Sequence, residues 1–392
     1  MEERTRAYLR GRFRDYYRRT DITPPPDFEA REWGYIPWTS GPDTTMVRHK
    51  SILDFGSLED FLERERPRHI YFSAGRYESP GAGNMEEKEW IGSDLVFDLD
   101  ADHLPTVELG KDSYAEMLAK CKQEVLQLID FLENDFGFSD LTVVFSGGRG
   151  YHVHVRDPSV QELASEARRE IVDYIRGTGL EFDSVIEEKY VGGTAGRKSP
   201  APKRQLPTSG GWGKRIHDQL LEVVSNLQRK DEQVAIQMLT EYEGIGTQKA
   251  KSILGAIETN LDEIKNGNID VHPSFTQFVR NVAEDTIDQS HAHIDEPVTT
   301  DTNRLMRLPG SLHGGSGFVV RRIDRDHLNQ FEPLTDAIPD TFQGHTVTVE
   351  VDEPQTLTFG GETFTVKAGE VTLPEYQAIF LMARGNAEKG KE

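Results

Sequence analysis

The chain has 392 residues and a formal net charge of −22, from 67 Asp and Glu against 45 Lys and Arg. No apolar run approaches the about eighteen residues of a membrane helix, and the Arg- and Tyr-rich N-terminus lacks a signal peptide's apolar core, so a soluble, cytoplasmic protein with no membrane partner is expected. The single cysteine, Cys121, excludes internal disulfides and any Cys-rich zinc motif. The acid is spread along the whole chain, and 29 Arg stand against 16 Lys. This reads as a solvated acidic shell of the kind expected in a high-salt cytoplasm. Uniform acidity says little about partners; local exceptions say more.

Residues 1–20 hold seven arginines, with Leu9, Phe13, Tyr16, Tyr17 and Thr20 near helical spacing. An amphipathic helix is predicted, its Arg face either solvated or turned to nucleic acid. Pro24, Pro25 and Pro26 end it. Strand and hairpin material follows at 33–38 and 46–50, then a short helix from Leu58 to Glu65 and a strand from His69 into Ala74–Tyr77. In Leu95–Asp100 a period of two puts Leu95, Phe97 and Leu99 on one face of a strand, and Val96, Asp98 and Asp100 on the other. A polar loop runs to about Tyr114 and a helix from there to Asp135. Leu141–Ser146 is an apolar run that reads as a buried strand. It breaks at Gly147-Gly148-Arg149-Gly150 and resumes as Tyr151–Val155. Strand, helix, strand here argues for a mixed α/β sheet.

A helix is predicted over 158–178. From Lys189 to His217 the chain carries seven Lys and Arg and no acid, including Gly196–Arg204 and Gly210–Arg215. This is either a linker or a basic segment beside a nucleic-acid strand, with Trp212 available for stacking. Residues 216–285 read as helices, and Gly244-Ile245-Gly246 within them looks like the turn of a helix-hairpin-helix, whose backbone N–H groups can meet DNA phosphate. A helix is predicted through Arg304 and Arg307, near the turn that carries His313. Phe318–Ile323 reads as a strand. Three short strands (346–351, 356–359, 363–366), a helix from Pro374 to about Met382 and a polar tail complete the chain.

Residues two apart on a strand lie about 6.6 Å apart on the same side of the sheet. Asp98 and Asp100 held that way can share or bridge divalent cations, with water and substrate phosphate filling the remaining positions. Asp-x-Asp recurs by chance in so acidic a chain. What singles this one out is its place at the end of a buried strand, where unpaired carboxylates are costly without a cation. Gly147–Gly150 lets the backbone approach a ligand, and Arg149 offers a planar fork suited to phosphate oxygens. His152 and His154 share a face; beside Ser146 and Arg149, His152 is a triphosphate contact candidate.

Three segments in order, Val96–Asp102, Phe145–His152, and Asp295–Thr299 running to Arg307–His313, together resemble the small, catalytic subunit of archaeal DNA primase, with weaker likeness to its eukaryotic counterpart. Arg31–Gly34, Arg48-His49 and the Leu373-Pro374-Glu375 region extend the likeness over most of the chain. The resemblance implies the archaeo-eukaryotic primase catalytic fold: α+β, a mixed β-sheet core with an inserted helical lobe. The expected division is 1–205 and 286–392 for the catalytic domain and 206–285 for the lobe. By resemblance, Asp98, Asp100 and Asp295 match the family's metal-binding, catalytic aspartates. Ser146, Arg149 and His152 match residues that hold nucleotide phosphates, Arg307 stands where the family has a basic residue, and His313 matches its nucleotide-contacting histidine. Many members carry a Cys/His zinc loop after the Asp-x-Asp strand. Here only His103 and Cys121 fall in that loop, too few for a structural zinc, which is expected to be absent. Gly148 stands where eukaryotic relatives have a second arginine, which leaves the phosphate grip resting more on Arg149 and Arg307.

The expected function is template-directed, de novo synthesis of short primers on single-stranded DNA from nucleoside triphosphates, with Mg²⁺ or Mn²⁺ and pyrophosphate release. A large regulatory primase subunit is the expected partner. A metal-dependent glycosyltransferase using Asp-x-Asp, or a non-catalytic replication-associated DNA-binding module, are the alternatives. The first leaves the segments around Ser146–His152 and Arg307–His313 unexplained, and carboxylates paired at a buried strand end speak against the second.

Overall fold

A computed structural model describes residues 1–39, 45–190 and 202–391. Residues 191–201 of the basic segment lie outside the described residues. The chain forms two compact units: one from Met1–Leu126, Phe138–Val172 and His293–Glu392, the other from Gln127–Gly137 and Asp173–Ala292. Among the described residues no helix is long and apolar enough to cross a membrane.

The first unit carries the Asp-x-Asp strand. Its first sheet orders Leu305–Arg307, His69–Tyr77, Arg31–Ile36 and Val47–Lys50, with Trp90–Ser93 also paired to His69–Tyr77. Its second orders Arg321–Ile323, Leu141–Phe145, Gly150–Val155 and Leu95–Asp100. The pairs described are antiparallel. With the surrounding helices this is an α+β fold. The strand–helix–strand order survives as a crossover: Leu95–Asp100 and Leu141–Phe145 both lie antiparallel to Gly150–Val155 between them, and helix Tyr114–Asp130 connects them. Leu95, Phe97 and Leu99 are fully buried, and Cys121 of that helix reaches the Leu99 carbonyl with its Sγ at 3.4 Å. The helix ends in a π-helical turn, Phe131–Asp135.

What anchors the start of the Asp98 strand is a buried charge cluster. Asp94 is 1 % exposed. Its Oδ1 accepts from Arg31 Nη2 at 2.9 Å and its Oδ2 from Arg156 Nε at 3.0 Å, while Arg168 donates to the Asp94 and Ser93 carbonyls at 2.9 Å each. Arg31 spends its other donors on the carbonyls of Pro26, Ser73 and Ala74. Burial alone would raise the Asp94 carboxyl; the His154 ring 3.7 Å away, Arg31 and Arg156 outweigh it and hold Asp94 well below the usual carboxylate range. A second such group centres on Glu32, fully buried against Lys88 at 3.1 Å and Arg48 at 3.1 Å.

Three sequence expectations need correction. Arg304 and Arg307 are not helical: a short helix, Glu296–Thr300, gives way to strand Leu305–Arg307, because the edge of His69–Tyr77 captures this backbone, Arg307 opposite Tyr71 and the Arg304 carbonyl accepting from Ala74 N–H at 2.7 Å. The polar tail holds a strand, Ala387–Lys389, paired with Thr346–Val351, and Gly369–Pro374 pairs on the other edge. Three residues with Glu388 between Ala387 and Lys389 give no apolar run to read. Finally, Trp212 lies in the first turn of helix Gly211–Gln228 in the second unit, 3 % exposed, its Nε1 donating to the Tyr174 carbonyl at 2.8 Å. It cannot stack on a base.

That second unit packs Gly211–Gln228, Glu232–Thr240, Thr247–Lys265 and Pro273–Ser290 around Ile216, Leu220, Ile253, Ile257, Phe275 and Phe278. The Gly244-Ile245-Gly246 turn joins two of these helices, with Ile245 buried and Lys249 Nζ closing on the Gly244 carbonyl at 2.8 Å.

Removing the Asp94 charge leaves buried arginines without their counter-ion, so Asp94→Asn should lower unfolding free energy by about 3–5 kcal/mol. Because the folded pKa is depressed, the wild-type contribution is complete above the unfolded carboxylate pKa of about 4 and is lost as pH falls below it. Denaturant titrations of both proteins from neutral to acid pH should therefore converge in stability as pH falls.

Candidate active site

Asp98 and Asp100 stand at the end of Leu95–Asp100, opposite His152 and Gly150 respectively. Asp295 N-caps helix Glu296–Thr300, and its backbone N–H donates to the Asp98 carbonyl at 3.1 Å, which brings a residue nearly two hundred positions away to the Asp98 strand. The Asp98 side chain is 23 % exposed. Its pKa is raised to about 6, first by burial, then by the charge of Asp100 and, more weakly, of Asp295; Arg304 and Arg307 act against the rise. Asp100 Oδ1 is buried with no hydrogen-bond partner.

Facing these carboxylates is the glycine turn. Gly147 has φ +76°, and a Cβ there would lie 2.6 Å from His313 Cβ; a Cβ on Gly150 would lie 2.2 Å from the Leu99 carbonyl oxygen. Only glycine lets the turn close on both. Ser146 is buried at its root, Oγ accepting from the N–H groups of Gly148 and Gly150 at 3.3 Å each. Arg149 projects outward, its guanidinium 2.6 Å from Asp102 in a half-exposed pair. Exposed pairs of this kind are worth only about 0–1 kcal/mol, so Arg149 can exchange its partner for a phosphate.

His152 Nε2 lies 3.5 Å from Asp98 Oδ1. Burial, followed by Arg307, His154 and Arg304, pushes the His152 pKa well below its usual value, so the ring is neutral. His313 is likewise neutral, through burial and then His69 and Arg307. Its Nδ1 edge is occupied by Ser316 Oγ at 3.1 Å and Gly315 N–H at 3.3 Å, leaving the Nε2 edge for a ligand. Ser316 Oγ also donates to the Gly147 carbonyl at 2.5 Å, tying His313 to the turn.

Arg307 lines a cleft of about 390 Å³ together with Asp98, His152, Tyr71, Arg48 and Arg304. Its guanidinium sits 5.7 Å over the Tyr71 ring, and its Nε is buried without a partner. The structure thus gathers Asp98, His152 and Arg307 in one cleft, sets Asp100 and Asp295 beside Asp98, and stacks Ser146 and His313 on the turn. Arg149 stands apart from this cleft, on Asp102. Tyr71 and Ser316 gave no sequence signal, being single polar residues outside any motif. Arg48 and Arg304 were visible in the sequence but without a role.

A family model described as DNA primase small subunit matches residues 97–325. The chain is 60% identical over its whole length to the whole of the DNA primase small subunit PriS of Haloarcula marismortui, and 59% to that of Halobacterium salinarum, again over all of both chains. PriS of Methanothrix thermoacetophila is 43% identical over 404 aligned positions covering both chains. The chain belongs to the DNA primase small subunit family. Membership accounts for the order of all three sequence segments and fits neither the glycosyltransferase nor the non-catalytic reading.

For this family a divalent metal ion in catalysis is implied, and the residues can be tested against it. Among the described residues no group of three His, Cys, Asp or Glu side chains converges tightly enough to hold a metal by itself. The raised Asp98 and the orphaned Asp100 oxygen nonetheless describe an anionic corner in want of positive charge. Such a corner suits a cation that keeps waters and completes its shell with substrate phosphate, as Mg²⁺ does.

The sign of the Asp98 shift predicts how the metal-free protein behaves. A carboxylate raised on folding costs stability as pH rises from about 4, its unfolded value, toward the folded value near 6, by about 2–3 kcal/mol in all. In a chelating buffer Asp98→Asn should therefore melt higher than wild type at pH 7.5 and alike at pH 4, and Mg²⁺ or Mn²⁺ should raise the melting temperature of wild type but not of the variant.

Proposed function

We propose that this chain is the catalytic subunit of a DNA primase, joining nucleoside triphosphates into short primers on a single-stranded DNA template. The observation that carries the reading is the meeting of Asp98, flanked by Asp100 and Asp295, with the Arg304 and Arg307 wall in one cleft. Carboxylates alone would repel a triphosphate; cations alone would bind it without activating a hydroxyl.

Asp98 and Asp100 would hold Mg²⁺ or Mn²⁺ at the triphosphate, and Asp295 with Asp98 a second ion at the initiating 3′-hydroxyl. Bound there, the metal supplies charge to the attacking and leaving oxygens of an in-line displacement. The 3′-hydroxyl gives its proton to water as its oxygen bonds to the α-phosphorus, the bond from that phosphorus to the α–β bridging oxygen breaks, and pyrophosphate leaves. Arg307 and Arg149 neutralise the phosphate oxygens, Arg149 after leaving Asp102. Neutral His152 and His313 offer ring nitrogens to phosphate without the added cost of a buried charge, and Ser146 and Ser316 keep the turn and His313 in place. A large regulatory subunit is the proposed partner, in keeping with the "small subunit" of the relatives' names.

We propose further that the loop after Asp100 holds no structural zinc. Cys121 is buried with its Sγ on the Leu99 carbonyl, and His103 is the one other Cys or His in that loop, two side chains where a structural zinc takes four. Elemental analysis should find less than stoichiometric zinc; one tightly held zinc per chain would overturn this.

Primer synthesis on single-stranded DNA with Mg²⁺ or Mn²⁺ tests the site. Asp98→Ala and Asp295→Ala should each abolish product while circular dichroism stays native, and Arg307→Ala should lower turnover by about 10²–10³. Undiminished synthesis by either aspartate variant would refute the assignment.

A further inference from the structure

Beyond the triphosphate site, a cleft of about 440 Å³ is lined by Arg6, Trp38, Arg68 and Arg384, and among the described residues no carboxylate lines it. In a chain of net charge −22 this is a local reversal of sign. Arg6 pairs with the exposed Glu3 at its rim. Arg68 and Arg384 have no carboxylate partner among the described residues. The Arg68 guanidinium lies 5.7 Å over the Trp38 ring, with Arg68 Nε and Trp38 Nε1 both buried and unpartnered. Arg384, in the last turn of helix Glu375–Arg384, lies 4.5 Å over Tyr114 and 4.7 Å over Phe380.

The cleft adjoins the reaction centre. A Cβ on Gly314, next to His313, would lie 2.2 Å from Arg68 Cγ. On the other side Tyr114, under Arg384, donates its hydroxyl to the Gly148 carbonyl of the glycine turn. The incoming triphosphate already has Arg149, Arg307, His152 and His313, so these further guanidiniums answer to a different anion. Guanidiniums over aromatic rings, without a carboxylate partner, are what a single strand needs, since each nucleotide brings one phosphate and one unpaired base.

We propose that the Arg6–Arg68–Arg384 cleft is the track on which the single-stranded template lies as it passes the glycine turn, its phosphates on the arginines and a base against the Arg68–Trp38 pair. The proposal rests on the primase reading for the identity of the strand. It does not rest on the metal site.

The test is binding of fluorescein-labelled oligothymidylate to the full chain by anisotropy, in chelator and without nucleotide, across a salt series. Three phosphates released from three arginines should make the slope of log affinity against log salt shallower by about 2 in the Arg6→Gln, Arg68→Gln, Arg384→Gln triple variant. Its affinity at low salt should fall at least about tenfold, three charge contacts being lost. Trp38→Leu should weaken binding and Trp38→Phe restore it. If the triple variant fails to fold, Arg384→Gln alone decides, with an expected slope change of about 0.7. Unchanged affinity and slope would overturn the track. So would displacement of the oligonucleotide by inorganic tripolyphosphate as effective as by unlabelled oligonucleotide, since the cleft would then hold free polyphosphate. With neither metal nor nucleotide present, the assay is blind to the chemistry at Asp98. Failure of primer synthesis would refute the catalytic reading and leave this result standing, and the converse holds as well.

Discussion

The first unit depends on one buried carboxylate. Asp94 draws Arg31 from the first strand, Arg156 from the end of Gly150–Val155 and, through its backbone, Arg168 from helix Ser165–Ile175 onto a single point. Four residues further on stands Asp98. An ion cluster so deep is a poor bargain for stability alone, because desolvating the charges consumes most of what their attraction returns. It does fix position: three guanidiniums hydrogen-bonded to Asp94 define where the strand begins, and the strand's pleat then defines where Asp98 and Asp100 end.

The two ends of that short strand have opposite electrostatic character. At Asp94 the His154 ring, Arg31 and Arg156 outweigh burial and the pKa falls; at Asp98 burial, joined by the negative charge of Asp100, makes the pKa rise. One carboxylate is satisfied by the protein itself. The other is left short of positive charge, as a group must be if a cation and a polyphosphate are to be bound there rather than merely tolerated.

Much of this was legible in the sequence because it followed from period and composition. The alternation in Leu95–Asp100, the apolar run Leu141–Phe145 and the glycines of the turn each constrain backbone and burial locally, and the structure keeps them. Asp94 itself was invisible: among 67 acidic residues nothing local marks one that will be buried, since its partners lie 63, 62 and 74 residues away. The Arg304–Arg307 segment was read as helix because its residues allow one, and the vacant edge of His69–Tyr77 that claims it is a tertiary fact. Trp212 failed for the same reason in reverse: Gly and basic residues around it suggested exposure, yet Tyr174 and Phe131 cover the indole.

The arginines at the site also differ in how tightly they are leashed. Arg48 is moored to a carboxylate with no solvent exposure at all, whereas Arg149 is tethered to one that water and salt can reach. Both arginines are themselves half-exposed, so what differs is the carboxylate: Asp102 is open to water and ions, and Glu32 is not. Of the two arginines, Arg149 is therefore the one whose carboxylate partner ions and water can replace, while Arg48 is held from its buried end.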